Sequence, residues 1–223
     1  MIEFSKRRTW IVGAGSTLGL AAGLAAMGSA RYAFAQPQRA PLVRTPLQTL
    51  GPFYPASEPP EQDNDLTRIA GGGIAKGDAT RLSGTVFDTR GKPLRGVRVE
   101  IWQADGNGRY HHPLDTGSAP LDPNFQGFGA ALTDERGGYS FRTIKPVPYT
   151  GRTPHIHFKL SGGGVPPFVT QLYIAGHPGN ARDSLLAGVQ DKRARDSLLA
   201  LFVPIAGTDE WSAQWDIVVA TDG

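Results

Sequence analysis

Short segments in which apolar and polar residues alternate recur between residues 81 and 219. Alternation over about four to eight residues is typical of a half-buried β-strand. Because turns rich in glycine, proline and aspartate separate the segments, we predict an all-β fold, a β-sandwich of mainly antiparallel strands with long loops. The predicted strands are Leu82–Asp88, Val97–Gln103, Ala130–Thr133, Tyr139–Ile144, a strand that contains His155 and His157, Phe168–Ile174 and Trp215–Val219.

One stretch, residues 180–201, has helical character. The sequence Ala-Arg-Asp-Ser-Leu-Leu-Ala occurs in it twice, at 181–187 and at 194–200. Because this spacing of 13 residues is not a whole number of helical turns and Gly188 interrupts the stretch, we predict one or two short helices near the C-terminus. We assign no function to the repeat.

The first 35 residues differ in kind from the rest. Arg7 and Arg8 precede an uncharged run rich in glycine and alanine, and Ala33-Phe-Ala35 matches a small-x-small cleavage site. This pattern resembles a twin-arginine export signal, which predicts a periplasmic protein. We therefore divide the chain into an export signal at 1–35, an extended arm and loop at 36–80 and a β-sandwich domain at 81–223.

The same N-terminal segment determines whether we expect a membrane span and what net charge remains in the rest of the chain. Five glycines from Gly13 to Gly28 dilute its apolar run, so we favour export over a retained anchor and expect no stable membrane span in the mature form. An ordinary secretory signal is the other alternative. Residues 1–35 hold four of the 23 basic and one of the 20 acidic residues, which leaves 19 of each in the remaining chain. A balanced chain of this kind predicts no nucleic-acid partner.

The candidate chemistry lies between Tyr149 and His157. In an extended strand His155 and His157 project from the same face, where two imidazoles invite a metal. The chain has no cysteine, so His, Tyr or carboxylates must hold any metal. Tyr149 adds a phenol, and phenolate suits a hard, highly charged ion, which makes ferric iron the natural candidate.

A His-x-His pair alone occurs in cupins, in copper and zinc sites and on ordinary surface strands. A cupin would supply a glutamate soon after the second histidine, but residues 158–163 contain none. Tyr110 follows a strand and a glycine turn, from which a loop can aim it at a site held by neighbouring strands. We interpret His111, His112 and His177 as loop or turn residues.

Seven blocks of sequence stand in a fixed order: Gly51-Pro-Phe-Tyr-Pro, Val99-Glu-Ile-Trp-Gln-Ala, Gly108-Arg-Tyr110, Leu121-Asp-Pro-Asn-Phe, Tyr139-Ser-Phe-Arg-Thr-Ile-Lys-Pro, Tyr149 to Phe158 and Thr170-Gln-Leu-Tyr. Together they resemble the intradiol ring-cleavage dioxygenases, nearest the protocatechuate 3,4-dioxygenase branch. The blocks span nearly all of the chain from Gly51 to Val219, and their combination is far more specific than any one of them.

The resemblance implies one Fe(III) per chain with four ligands: Tyr110, Tyr149, His155 and His157. It implies that Arg152 and Gln171 orient the substrate and that Tyr149 accepts a substrate proton. The implied reaction cleaves a catechol ring between its two hydroxyl-bearing carbons with O2, giving a cis,cis-muconate-type product. The implied partners are therefore a catechol and O2, and a homo-oligomer is expected because oligomers are common in the family.

The chain departs from the family in two places. Only five residues separate Tyr149 from His155. The protocatechuate enzymes carry a longer loop there, so we expect a more open pocket and predict no particular catechol. Residues 36–80 also lack the sustained apolar period of the helical dimerisation region in the catechol 1,2-dioxygenase branch.

Two other functions stay open at this point. The segments around Gly84 and Thr133 also resemble transthyretin-like domains, so the main alternative is a non-catalytic binding module. That module would give the four candidate ligands no reason to converge. A metalloenzyme of the same fold with another metal, such as a hydrolase, is less favoured because no carboxylate lies near the His-x-His pair in sequence.

Overall fold

The computed structural model describes residues 42–57, 59–149 and 151–221. The predicted export signal at 1–35 lies outside these residues. Within them, ten strands form two five-stranded sheets, and five of the eight strand pairings are antiparallel. The prediction of an all-β sandwich is confirmed. The strands are β1 Ala79–Asp88, β2 Arg98–Trp102, β3 Phe128–Leu132, β4 Gly138–Ile144, β5 His155–Gly162, β6 Val165–Ile174, β7 Leu199–Ala200, β8 Phe202–Pro204, β9 Trp211–Gln214 and β10 Ile217–Val219.

The first sheet is built around β1. Strand β4 pairs antiparallel with one of its edges. The other edge is shared, because β9 pairs parallel with Thr80–Ser83 and β10 pairs parallel with Val86–Asp88. Strand β8 extends this sheet by pairing antiparallel with β9.

The predicted strand Trp215–Val219 was wrong in its bounds, and β9 was missed. The strand is interrupted at Trp215, between β9 and β10, because the backbone of Trp215 lies directly against Gly84. A Cβ on Gly84 would lie 1.7 Å from the carbonyl oxygen of Trp215. The hydroxyl of Tyr139 donates to that same carbonyl at 2.6 Å, so the oxygen has a partner outside the sheet ladder.

The helical region is shorter than predicted. A 3₁₀ turn at Pro178–Arg182 leads into helix α1, Ser184–Ala187, and then helix α2, Lys192–Asp196. The prediction of short helices is confirmed, but their extension to residue 201 was wrong. Leu198 is fully buried, and its carbonyl accepts from the backbone N–H of Tyr173 at 2.9 Å, which leads the chain into β7.

The second sheet has the order β3-β2-β5-β6-β7 and carries the candidate site on its outer face. Ile156, Phe158 and Leu160 of β5 are fully buried in the core between the sheets. The alternating side chains of β5, His155 and His157, therefore project from the opposite face. Loops cover that face, since both histidines are only 3% and 2% exposed.

The arm at residues 42–50 is hydrogen-bonded to both sheets. Thr45 exchanges two hydrogen bonds with Val218 of β10, each of 2.9 Å. Gln48 then donates from its backbone N–H to Val169 of β6 at 2.9 Å. The arm thus delivers Gly51 to the outer face of the second sheet. Across the described ranges no helix has the length and apolarity to cross a membrane.

Candidate metal centre

The structure brings the two imidazoles of β5 edge to face. Nε2 of His155 lies 3.2 Å from Nε2 of His157, and the ring planes are inclined at 69°. Metal–nitrogen bonds of ~2.1 Å, the length found in zinc sites, place two ligand nitrogens roughly 3 Å apart at a right angle. The two Nε2 atoms therefore have the separation of two ligands to one ion.

Both candidate phenols reach the same place from different loops. The rings of Tyr110 and Tyr149 meet perpendicularly with centroids 5.2 Å apart. The ring of Tyr149 lies 5.4 Å from that of His155, and the ring of Tyr110 lies 6.2 Å from that of His157. Four side chains separated by up to 47 positions thus converge on the outer face of the second sheet.

A buried aspartate shapes the loop that carries Tyr110. Asp105 is fully buried, and its Oδ1 accepts from the backbone N–H groups of Asn107 and Arg109 at 2.8 and 3.1 Å. Its Oδ2 accepts from the backbone N–H of Asp122 at 2.8 Å. These bonds close the glycine turn after β2 and point Tyr110 back across the sheet.

The orientation of each imidazole has a visible cause. Nδ1 of His155 lies 2.7 Å from the carbonyl oxygen of Thr153, so Nδ1 donates and Nε2 keeps its lone pair. His157 stacks on Trp102, its cross-strand neighbour on β2, at 4.8 Å and 13°. On the other side a Cβ on Gly51 would lie 3.2 Å from Cε1 of His157, so this approach needs glycine.

The imidazoles are neutral at physiological pH. Burial and then the charge of Arg152 lower the pKa of His155 to about 4. Burial, followed by the neighbouring His155, lowers the pKa of His157 well below its usual value. Neutral imidazole is the form that binds metals, so the Nε2 atoms of His155 and His157 are available to a cation.

The pKa values of the two phenols are raised rather than lowered. Burial and then the neighbouring Tyr149 raise the pKa of Tyr110 well above its usual value. Burial also raises the pKa of Tyr149, although the charge of Arg152 opposes this. The hydroxyl of Tyr110 is buried and has no hydrogen-bond partner among the described residues. An unpaired buried hydroxyl costs about 1–3 kcal/mol, which a bound cation would offset.

The donor set fits a trivalent cation. Across the described ranges no three His, Cys, Asp or Glu side chains come together as a metal site, so any metal here depends on the phenols. Two neutral imidazoles add no charge, and two phenols can each supply one negative charge. Such a set balances most of a 3+ charge in a buried place, where an unpaired charge is costly.

Arg152 lies at the edge of this cluster in a buried ion pair. Its Nε donates to Oδ2 of Asp183 at 2.7 Å, and the two side chains are 14% and 0% exposed. Asp183 also accepts from the backbone N–H of Thr153 at 3.1 Å and caps α1 through Leu185 and Leu186. Although burial opposes its ionisation, the hydrogen bond from Arg152 helps to lower the pKa of Asp183.

Gln171 joins Arg152 to the arm. Its Oε1 accepts from Nη2 of Arg152 at 2.8 Å and from the hydroxyl of Tyr173 at 2.9 Å. Its Nε2 donates to the carbonyl oxygen of Thr49 at 3.0 Å. Gln171 is fully buried, so it holds Arg152 and the arm in fixed positions.

The remaining histidines have local partners. Nε2 of His111 lies 3.6 Å from Oδ2 of Asp105, and Nδ1 of His112 accepts from the backbone N–H of Leu114. His177 caps the 3₁₀ turn by accepting from the backbone N–H of Gly179 at 3.1 Å. These contacts agree with their interpretation as loop and turn residues.

Four residues of the site were not singled out from sequence: Phe53, Trp102, Tyr173 and Asp183. Phe53 stacks on Tyr110 at 4.5 Å and 25°. Tyr173 follows Gln171 by two residues on β6, so strand alternation could have placed it on the same face. Asp183 precedes Ser-Leu-Leu-Ala, which is a helix N-cap signal, but nothing in that signal indicates an arginine partner.

Two cavities flank the cluster. One, of about 530 Å³, is lined by Tyr149, Arg152, Asp183 and the 3₁₀ turn. The other, of about 360 Å³, is lined by Trp102, Tyr110 and aromatic and proline residues. Tyr110 borders one cavity and Tyr149 the other, whereas His155 and His157 line neither of these two cavities.

Comparison with known proteins places the chain in a family. A family model described as Dioxygenase matches residues 49–221. The protocatechuate 3,4-dioxygenase beta chain of Burkholderia cepacia is 41% identical over 180 residues, which cover 75% of this chain and 76% of that protein. Hydroxyquinol 1,2-dioxygenase of Nocardioides simplex is 31% identical over 206 residues, which cover 79% of this chain and 64% of that protein.

A solved structure agrees with these matches. The dioxygenase domain of a dioxygenase–carbohydrate-binding protein fusion from Streptomyces sp. SirexAA-E superposes with a TM-score of 0.62 at 31% identity. The match covers 80% of this chain and 99% of that domain. The chain therefore belongs to the intradiol ring-cleavage dioxygenases, a family of oxidoreductases, and to their protocatechuate 3,4-dioxygenase-like branch.

Proposed function

We propose that this chain holds one ferric ion on Tyr110, Tyr149, His155 and His157 and cleaves a catechol ring between its two hydroxyl-bearing carbons with O2. The observation that carries the proposal is the convergence of two neutral imidazoles and two phenols on one buried spot. The unpartnered hydroxyl of Tyr110 adds to it. When bound, ferric iron would withdraw electron density from a chelated catecholate and make the ring reactive toward O2.

The two phenols have different roles because they are held differently. Tyr110 is 3% exposed and stacked on Phe53, so it stays in place as a permanent ligand. Tyr149 is half-buried and sits in a short turn closed by its bridge to Arg152. Tyr149 can therefore swing away and take the proton of an arriving catechol hydroxyl, as the family resemblance implies.

Arg152 supplies a fixed positive charge beside Tyr149. Asp183 and Gln171 hold the guanidinium through three hydrogen bonds of 2.7, 2.8 and 3.4 Å. A cation fixed in this way stabilises negative charge that develops on the substrate ring without moving during the reaction. Gln171 acts through Arg152, since its amide oxygen is already shared between Arg152 and Tyr173.

The substrate class follows from the cavity beside the proton acceptor. The cavity lined by Tyr149 and Arg152 has about 530 Å³, enough for a single substituted ring. Two of the relatives are named for protocatechuate and hydroxyquinol, both of which are catechols with a further substituent, and others are named for catechol itself. We infer a substituted catechol, with the short turn after Tyr149 leaving room for the substituent.

The deciding experiment combines metal analysis with turnover. The purified chain is expected to hold one iron per polypeptide, to show a red tyrosinate-to-iron absorption band and to consume one O2 per catechol. Product absorbance across a panel of substituted catechols then identifies the preferred ring. A colourless protein that stays inactive after ferric reconstitution would contradict the proposal and leave the binding-module alternative.

We also propose export to the periplasm through residues 1–35, on the strength of Arg7, Arg8 and the Ala33-Phe-Ala35 pattern. Replacement of both arginines by lysine is expected to leave the precursor in the cytoplasm, as cell fractionation would show. Unchanged periplasmic accumulation would reject the twin-arginine route. The homo-oligomer implied by the family is likewise a proposal, which light scattering of the purified protein would test.

A further inference from the structure

Three of the four candidate ligands lie under two residues of one segment. Gly51 lies against the imidazole of His157, since a Cβ on Gly51 would come within 3.2 Å of its Cε1. Phe53 stacks on the ring of Tyr110 at 4.5 Å and meets the ring of Tyr149 edge to face at 5.8 Å. Gly51 and Phe53 therefore cover both phenols and one imidazole of the candidate metal centre.

The segment that ends with these two residues, 42–53, packs loosely, and we call it the strap. It contains no helix or strand. Thr45 is the only buried residue in it, and Leu47 is 61% exposed. Elements with few buried apolar contacts open locally at a lower free energy than core strands do. The strap is therefore expected to open while the two sheets stay closed.

Part of the cover must move before an ion can reach the imidazoles. His155, His157 and Tyr110 are at most 3% exposed. Neither histidine lines either of the two cavities that flank the cluster. An ion that binds both Nε2 atoms therefore needs a displacement of the strap or of the turn at Tyr149, which is half-buried.

The turn at Tyr149 is held more firmly than the strap. The backbone N–H of Arg152 closes this turn by donating to the carbonyl oxygen of Tyr149 at 2.9 Å. The guanidinium of Arg152 lies in the buried ion pair with Asp183, and separating such a pair is strongly unfavourable. The strap is held by hydrogen bonds between neutral groups, each of which costs much less to break.

These neutral hydrogen bonds begin at the outer end of the strap. Thr45 exchanges its two hydrogen bonds with Val218 through its backbone N–H and its hydroxyl oxygen. The hydroxyl of Thr170 on β6 donates to the carbonyl oxygen of Pro46 at 2.9 Å. Both contacts lie outside the set of candidate ligands, so they can be removed without touching the metal centre.

The inner end of the strap is tied to the outer face of β6 and then to a fixed residue. The hydroxyl of Tyr173 donates to Oε1 of Gln48 at 3.2 Å, beside the bond from Gln171 to the carbonyl oxygen of Thr49. Tyr54, which follows the strap, is anchored by the hydrogen bonds of its hydroxyl with Lys159 and Glu100. The strap can therefore swing about Tyr54.

We propose that the strap is the gate through which the metal ion enters and leaves the candidate centre. It swings about Tyr54, uncovers His157, Tyr110 and Tyr149, and closes again over the bound ion. This inference rests on the proposed function, because it requires a ferric ion on the four candidate ligands. Since Gly51 packs on an imidazole that the ion would fix, bound iron should in turn hold the strap closed, as the linkage of the two equilibria requires.

Iron uptake and release by the full chain test the gate. Uptake from ferric nitrilotriacetate by the metal-free chain is followed by growth of the red band, and release to an excess of ferric chelator by its loss. Thr45→Val and Thr170→Val each remove one hydrogen bond of the strap at similar side-chain shape. Each is expected to speed both uptake and release about 2–10-fold, the effect of one neutral hydrogen bond on the open fraction. The equilibrium affinity should stay unchanged, because the bond is lost with and without iron.

Thr133→Val is the matched control for a general loss of stability. Thr133 is likewise buried, and its hydroxyl donates to the carbonyl oxygen of Leu94 at 2.7 Å and accepts from the backbone N–H of Val97 at 2.9 Å. Urea unfolding should show a loss of stability at least as large as in Thr45→Val, whereas both iron rates should stay unchanged. Equal acceleration in Thr133→Val and in the strap variants would show general loosening and overturn the gate.

Gly151→Ala tests the other route. Gly151 has a φ of +78°, and a Cβ there would meet nothing within 4 Å, so alanine strains the turn at Tyr149 without a clash. Its rate of iron uptake should equal that of the unaltered chain. Faster uptake in Gly151→Ala, with unchanged uptake in Thr45→Val and Thr170→Val, would place the entry at that turn and overturn the proposal.

Hydrogen exchange followed by mass spectrometry provides a readout that needs no turnover. Without iron the amides of the strap are expected to exchange faster than those of β5, and iron should slow the strap amides more than those of β5. Strap exchange that iron leaves unchanged would overturn the gate. A chain that takes up no iron would contradict the proposed function together with the gate, whereas iron uptake at unchanged rates in both strap variants would reject the gate alone.

Discussion

The guanidinium of Arg152 and the carboxylate of Asp183 form an ion pair that connects the candidate metal centre to the first turn of α1. The closest contact, from Nε to Oδ2, is 2.7 Å, and the carboxylate is fully buried. The same carboxylate caps α1 and accepts from the backbone N–H of Thr153. The position of the cation beside Tyr149 therefore depends on a helix cap 31 residues further along the chain.

Asp183→Asn should separate the ion pair from the cap. Asparagine caps helices about as well as aspartate, so α1 is expected to survive while Arg152 loses its charged partner. We expect kcat/KM to fall about 100-fold, since small displacements of a positioning group have effects of that size, with iron content unchanged. The free energy of unfolding should fall by about 1–3 kcal/mol.

Asp191 provides the matched control. It caps α2 by accepting from the backbone N–H of Ala194 at 2.8 Å and makes no contact with Arg152. Asp191→Asn should therefore leave turnover and stability close to those of the unaltered chain. Equal kinetics of the two variants would show that Asp183 acts only as a cap.

Tyr149→Phe should remove the proposed proton acceptor. Loss of a positioned proton acceptor slows a reaction about 100- to 10,000-fold, so we expect turnover to fall by that factor. The red absorption band should weaken but persist, because Tyr110 stays in place. Stopped-flow spectra with the preferred catechol measure both the turnover and the band. A urea unfolding curve checks that the variant is folded.

Tyr54→Phe controls for the loss of a tyrosine hydroxyl. The hydroxyl of Tyr54 accepts from Lys159 at 2.6 Å and donates to Glu100 at 3.1 Å. Tyr54 is not one of the candidate metal ligands. We expect this variant to keep the band and the turnover. If Tyr149→Phe behaved in the same way, the proton would have to leave by another route.

Strand alternation was enough to predict half of the candidate site. Two histidines two residues apart in an extended strand had to share a face, and the 3.2 Å separation of their Nε2 atoms confirms it. Tyr149 was within reach because it is close in sequence. Tyr110 was placed only through the family resemblance, because no local pattern states where a loop after β2 will fold back. The order β3-β2-β5 supplies that information by putting Trp102 beside His157.

The features that were not predicted depend on contacts between segments that are distant in sequence. The break between β9 and β10 follows from the approach of Trp215 to Gly84, 131 positions earlier, which a five-residue window cannot contain. The pairing of Arg152 with Asp183 is of the same kind. Each residue has an ordinary local explanation, as a loop cation and as a helix cap, and only the folded chain brings them into contact.

Asp105 predicts a pH-dependent contribution to stability. Although burial opposes its ionisation, the nearby His111 imidazole and hydrogen bonds from the backbone N–H groups of Asp122, Arg109 and Asn107 lower the pKa of Asp105 below its usual value. A carboxyl whose pKa is lower in the folded state stabilises the fold above its unfolded pKa of about 3.9 and loses that contribution as pH falls through the folded value. Asp105→Asn should therefore lower the free energy of unfolding by about 1–3 kcal/mol at pH 7.

The difference between the two proteins should shrink as the pH approaches 3. Urea unfolding at pH 7, 5 and 3 measures it, and the subtraction removes the effect of all other carboxyl groups. Asp134→Asn is the comparison, since Asp134 likewise accepts from backbone N–H groups in a turn but lies in the exposed β3–β4 connection. A difference that stayed constant from pH 7 to pH 3 would show that the charge of Asp105 is unimportant.

Gly51 links the arm to the candidate ligand His157, and its replacement should affect metal binding more than folding. Gly51 has a φ of +72°, and a Cβ there would lie 3.2 Å from Cε1 of His157. Gly51→Ala adds a left-handed strain of about 1–2 kcal/mol and presses the imidazole away from its position. We expect iron affinity to fall at least tenfold, measured by competition with a ferric chelator.

Gly71→Ala is the control that has the same backbone strain as Gly51→Ala but no contact with His157. Gly71 has nearly the same φ, +74°, but a Cβ there would meet nothing within 4 Å. Gly71→Ala should lose the same 1–2 kcal/mol or so of stability as Gly51→Ala while its iron affinity stays unchanged. Because the two variants share the backbone penalty, any difference in iron affinity reports the contact with His157. Equal affinities would mean that the imidazole tolerates the methyl group and that the arm does not help to hold the ligand.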